Sequence, residues 1–109
     1  MAYDEKLAER VREVLRRRRG ISEKKMFGGL AFLVKGHMAC GVLGDDLMVR
    51  VGPDGYEAAL RRDGARPMDF TGRPMKGMVY VGARGYRRAP SLRAWVEQGV
   101  SYARSLPPK

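Results

Sequence analysis

Apolar positions along the chain change rhythm several times, and each rhythm predicts a different element. From Asp4 to about Arg19, Leu7, Val11, Val14 and Leu15 recur at i, i+4, i+7 and i+8, the stripe of an amphipathic helix. Asp4 stands where an N-cap is needed, and Gly20 where the helix must stop. Glu9 and Glu13 precede Arg12, Arg16 and Arg17 by three or four residues and predict surface ion pairs. Next comes KKMFGGLAFLVKGHMACGV, Lys24 to Val42. It predicts a first strand over Lys24 to Val34, bent or bulged at Gly28-Gly29. A Lys35-Gly36-His37 tip leads to a second strand, Met38 to Leu43. Gly44-Asp45-Asp46 turns that into a third, Leu47 to Val51.

A short helix over Pro53 to Arg62 follows, with Tyr56, Ala59 and Leu60 on its apolar side, ended by Asp63-Gly64. Arg66 to Phe70 predicts a short edge strand, Thr71-Gly72-Arg73-Pro74 a turn, and Met75 to Val81 a fifth strand. Gly82 to Ala89 is expected as a basic loop. From Pro90-Ser91 to about Ser105, Leu92, Trp95, Val96, Val100 and Ala103 mark a last helix, and Pro107-Pro108 closes the fold. The predicted class is α+β: two layers, a mostly antiparallel five-stranded sheet, order α-β(3)-α-β(2)-α.

The strands raise a problem of covering. Strands with one face in water alternate apolar and polar residues, and these are apolar at consecutive positions. Leu30, Phe32 and Val34 would face one way, and Ala31 and Leu33 the other. Met38, Cys40 and Val42 would oppose Ala39, Gly41 and Leu43, and Met48 would lie opposite Leu47 and Val49. Leu33, Ala39, Gly41, Leu43 and Met48 therefore form a candidate interface. Two solutions would cover it: a second copy, giving an isologous dimer, or the short middle helix folding over it.

At 109 residues the chain fits one domain, 1–109. No run is long enough to span a bilayer, the N-terminus lacks a signal-peptide core, and Cys40 is the single cysteine, so a cytoplasmic setting is expected. The net charge of +10 favours polyanionic partners. Its clusters are Arg16, Arg17, Arg18 and Arg19 with Lys24 and Lys25, then Arg61-Arg62, then Arg84 with Arg87 and Arg88. Tyr86 lies inside the last of these, and aromatic–basic interleaving can hold single strands or phosphate backbones.

Catalytic chemistry is poorly provided for. His37 is the single histidine, and His37, Met38 and Cys40 have no second His or Cys to complete a metal set. A buried, inert cysteine and a hairpin-tip histidine are the simpler reading. No HExxH, GxxxxGK[ST], GxSxG or GxGxxG pattern occurs, and no spacing forces two carboxylates together. No catalytic residue, metal, cofactor or small-molecule substrate is therefore expected. Six methionines follow the first residue (Met26, Met38, Met48, Met68, Met75, Met78), and most are expected to fill irregular core space.

The block Met26-Phe27-Gly28-Gly29, a Gly36-His37-Met38 hairpin element, Arg73-Pro74-Met75 ahead of a strand with Tyr80, and a final Leu92-Arg93-Ala94-Trp95 helix together resemble the N-terminal domain of the TfoX (Sxy) family, over nearly the whole chain. The resemblance implies the same α-β(3)-α-β(2)-α order, in a secretion-chaperone-like architecture. It also implies a link to competence regulation with the transcription machinery. The family's full regulators carry a second, helical domain; this chain looks like a stand-alone N-terminal domain. The resemblance supplies no catalytic residues. The expected function is a non-catalytic regulatory or adaptor module binding protein or nucleic acid. The alternative is a self-associating module that uses its sheet face.

Overall fold

The computed structural model describes residues 3–26, 28–69, 72 and 75–107. Its elements are α1 (Glu5–Leu15), β1 (Ile21–Met26), β2 (Gly29–Val34), β3 (His37–Leu43), β4 (Asp46–Arg50), α2 (Tyr56–Leu60), β5 (Ala65–Pro67), β6 (Met78–Val81), α3 (Ala83–Tyr86) and α4 (Ala89–Arg104). The strands form one antiparallel sheet in the order β1-β2-β3-β4-β6-β5. The α+β class and the antiparallel meander are as expected. The strand count is six and not five, because the expected bend at Gly28-Gly29 is a reversal: Met26 pairs with Gly29, and Lys24 to Val34 is a hairpin. β1 escapes pattern reading because it is an edge strand with the sequence ISEKKM, its lysines and glutamate in water. Phe27, Phe70, Thr71, Arg73, Pro74 and Pro108, which figure in the expected motifs, turn and strand ends, lie outside the described residues.

α1 starts as its capping predicts: Asp4 Oδ1 accepts from the backbone N–H of Lys6 (2.9 Å) and Leu7 (3.3 Å). Leu7, Ala8, Val11 and Leu15 bury its stripe. α4 buries Leu92, Trp95, Val96, Gly99, Val100 and Ala103. Both helices close a core with Leu30, Phe32 and Val34 of β2, Cys40 and Val42 of β3, Leu47 and Val49 of β4, and Val79 and Val81 of β6. α2 joins the same side through Tyr56 and Ala59, so it does not cover the second face as one expectation held. Gly82 to Ala89 is not a loop either; it contains the single turn of α3, whose Tyr86 is buried in the helix-side core.

One irregularity sets the faces of β3. Phe32 pairs with Cys40 and Leu33 with Met38, which leaves Ala39 as an extra residue. The bulge turns Ala39 inward to the helices and Met38 outward, the reverse of strict alternation. Ala39 is fully buried in the helix-side core and leaves the expected interface. α4 sits directly on it: a Cβ at Gly99 would lie 2.2 Å from the Ala39 carbonyl oxygen. A glycine there lets helix and strand backbones touch.

Candidate functional site: an arginine groove and a methionine pocket

On the outside of the helix layer the Arg16 to Arg18 run meets single arginines from elsewhere in the chain, whereas Arg84 and Arg88 lie apart, beside Trp95. Arg10 Nη2 donates to the carbonyls of Tyr86 (3.1 Å) and Arg87 (3.0 Å), which ties α1 to the turn before α4. From there Arg10 and Arg93 line one groove between α1 and α4. Arg93 and Arg16, Arg17 and Arg18 line the next, with Glu13 and Glu97 beside them. Arg10 and Arg93 belong to no basic run, since neither has a basic residue next to it in sequence, and only the packing of α1 on α4 joins them to the Arg16 to Arg18 run.

Several of the expected cations are already partnered. Arg16 pairs with Glu13 and Arg18 with Glu97. Arg12 reaches Glu9 and, at 2.8 Å, Glu23. Arg84 turns to Asp63 (2.9 Å), on the Trp95 side of the molecule. Arg19 gives its carbonyl to Arg104. Lys24 and Lys25 are exposed but point to opposite faces of β1, since they pair with Ala31 and Leu30. Tyr86 offers no stacking surface: it is 7 % exposed and its hydroxyl donates to the Asp45 carbonyl (2.6 Å). Burial also raises its phenol above the usual range. The aromatic half of the interleaved motif is structural, and the basic half remains at the surface.

Among the described residues no helix packs on the opposite side of the sheet. Leu33, Gly41, Leu43 and Met48 lie on it as expected, joined by Met38, Met78 and Tyr80. Met68, just beyond β5, folds over it and is 4 % exposed. The chain after β5 returns through a Met75 N–H bond to the Met68 carbonyl (2.9 Å), so this connection and not α2 supplies the partial cover. Beside it opens a cavity of about 360 Å³ lined by Met26, Met38, Met48, Met68, Met75 and Met78. All six methionines beyond the first residue meet there, and none belongs to the helix-side core. The core-filler expectation holds for Met48, Met68 and Met78, which form a second cluster with Tyr80 and not the core beneath the helices, and does not hold for the other three. Met48, Met68 and Met78 are buried, Met26 and Met38 half-buried, and Met75 is 41 % exposed.

The rest of the lining is Arg50, Gly52, Pro53, Lys76, Gly77 and Tyr102. The Arg50 guanidinium lies 5.4 Å from the Tyr102 ring centroid. Tyr102, from the last turns of α4, reaches this face past Gly52, where φ is +82° and a Cβ would come within 2.4 Å of the ring. Val51 and Gly52 both donate to the Gly77 carbonyl, at 2.8 and 3.0 Å, which fixes the wall between β4 and β6. Among the described residues the lining carries two cations and no carboxylate.

The groups singled out for reactivity are placed apart. Cys40 is fully buried on the helix side, and burial pushes its thiol up to about 12, so the thiolate is scarce at neutral pH. His37, at the β3 start, bonds through Nε2 to the Pro107 carbonyl at 2.5 Å. Among the described residues no three His, Cys, Asp or Glu side chains are grouped as a metal set. Nor, among these residues, is any helix long and apolar enough to cross a membrane.

The sequence profile of the TfoX N-terminal domain matches residues 13–103. This chain belongs to the TfoX N-terminal domain family. The match runs from the last turns of α1 to the end of α4 and so takes in the whole sheet, the arginine groove from Glu13 onward and every methionine of the pocket. Among curated proteins and among solved structures, none matches this chain.

Proposed function

We propose that this TfoX-type domain is a non-catalytic regulatory or adaptor module of the cytoplasm, and that its α1/α4 face holds a polyanionic partner, nucleic acid before acidic protein. The observation that carries the reading is the convergence of Arg10, Arg16, Arg17, Arg18 and Arg93, from two ends of the chain, on two adjoining grooves that share Arg93. Internal ion pairs do not cancel the attraction. Among the described residues they tie five arginines to six carboxylates, so they leave the surplus of +10 as it is. Such a field steers polyanions and gives phosphate contact without base readout. Family membership supports a competence-related regulatory role.

The test is binding to duplex and single-stranded DNA across a salt series. The expected result is saturable binding whose affinity falls steeply with salt, with a shallower slope for an Arg17→Glu, Arg93→Glu double variant. Absence of binding at low salt overturns the reading. The alternative, self-association through the sheet face, is favoured by the half-buried Leu33, Met38 and Leu43 on its open side. Light scattering over a concentration series separates the two readings; a strict monomer rules out the second.

A further inference from the structure

The methionine pocket is independent of the arginine groove, and its chemistry is specific enough to name a ligand class. We propose that it binds a small amphiphilic anion, a free carboxylate with a flexible apolar tail. Its volume of about 360 Å³ falls within the range of small-molecule sites. Thioether side chains supply an apolar, polarizable wall that adapts to an unbranched tail. Arg50, held over Tyr102, and Lys76 stand in the same lining with no opposing carboxylate among the described residues, and the described ion pairs include neither of them.

The sign of the charge decides between occupants. Sulfur ligands alone would suit a soft metal ion, but two fixed cations oppose one. They equally oppose an apolar ammonium. A neutral apolar molecule fills the cavity and leaves the cations as they are, so it forgoes a charge-assisted contact. A carboxylate satisfies tail and rim together. A second copy of this chain, with its own +10, would bring more positive charge to a rim that is already cationic.

The experiment uses the full chain with methionine methyls labelled for NMR, titrated with decanoate, decanol and decyltrimethylammonium, each below its micelle threshold, and with anionic phospholipid vesicles. Decanoate is expected to bind saturably at one site and to move the Met48, Met68 and Met78 methyl signals. Decanol should bind about fivefold more weakly, the value of one partly exposed ion pair, and the ammonium should not saturate. Lys76→Gln and Arg50→Gln should each weaken decanoate by a similar factor and decanol by less, and Lys76→Gln should leave the thermal midpoint unchanged. Because Lys76 is exposed, its variant keeps the test valid even if Arg50→Gln disturbs Tyr102. Equal affinity for acid and alcohol, methyl signals unmoved by decanoate, methyl shifts that follow protein concentration alone, or response only to vesicles would each overturn the proposal.

Discussion

The two faces of this sheet are built from different kinds of side chain. Toward the helices stand Val34, Val42, Leu47, Val49, Val79, Val81 and Phe32, with Trp95 and Val96 pressed onto them. Branched and aromatic side chains have few rotamers and pack into one shape. On the far face stand Met38, Met48, Met68 and Met78 with Tyr80, where unbranched thioethers take many shapes. Two adjacent residues of one strand, Met48 and Val49, are 1 % and 0 % exposed, so burial alone does not separate the faces. What separates them is whether the partner that buries them is fixed. Val49 meets a 16-residue helix, and Met48 meets a connection and a cavity.

The sharpest way to break this contrast is truncation on each side. Trp95→Ala, at 1 % exposure in the helix-side core with the Arg62 guanidinium 3.4 Å from its ring centroid, should cost about 3–5 kcal/mol in urea unfolding. Gly99→Ala tests the same side by crowding. The added carbon meets the Ala39 carbonyl, and a loss of about 1–3 kcal/mol is expected as helix and strand are forced apart. Met68→Ala, nearly as buried at 4 %, should cost only about 1–2 kcal/mol, because neighbouring thioethers move into the space. A loss as large as that of Trp95→Ala would mean the methionine side is as rigid as the other.

The smallest expected effect lies at the rim of the helix layer. The hydrogen bond from Arg12 holds the Glu23 carboxyl below its usual 4.5. The folded value is the lower one, so its contribution is whole above pH 4.5 and fades as pH falls through that lower value. The pair is open to solvent, which limits this to about 1 kcal/mol or less. Glu23→Gln should flatten the stability curve only in that acid range, and a change at neutral pH larger than that figure would show that Glu23 does more than pair.

Much of the architecture could be read from the sequence where local periodicity and global packing agree. The stripes of α1 and α4 and the hairpin around Lys35-Gly36 are such places. At Lys35 and Gly36 both φ angles are positive (51° and 88°), as a two-residue hairpin turn of this hand requires. The failures have physical causes. β1 is polar because it lies at an edge, so its strand character comes from pairing and not from its own residues. Ala39 and Met38 exchange faces because of one bulge, which no alternation rule can see. Tyr86 sits in a basic segment but points inward, to the Asp45 carbonyl 41 residues away in sequence. The groove was half legible: the Arg16 to Arg19 run was conspicuous, whereas Arg10 and Arg93 act only through helix packing. The pocket was hardly legible, because six methionines spread from 26 to 78 show their common destination only when the sheet order β1-β2-β3-β4-β6-β5 and the bulge at Ala39 put them on one side.

A chamber walled by thioethers is left without a fixed template. Each methionine that an occupant pins down forfeits up to about 2 kcal/mol of torsional freedom. Guests of different length would therefore be held with similar, moderate strength, and the chamber would measure polarity and charge more finely than outline.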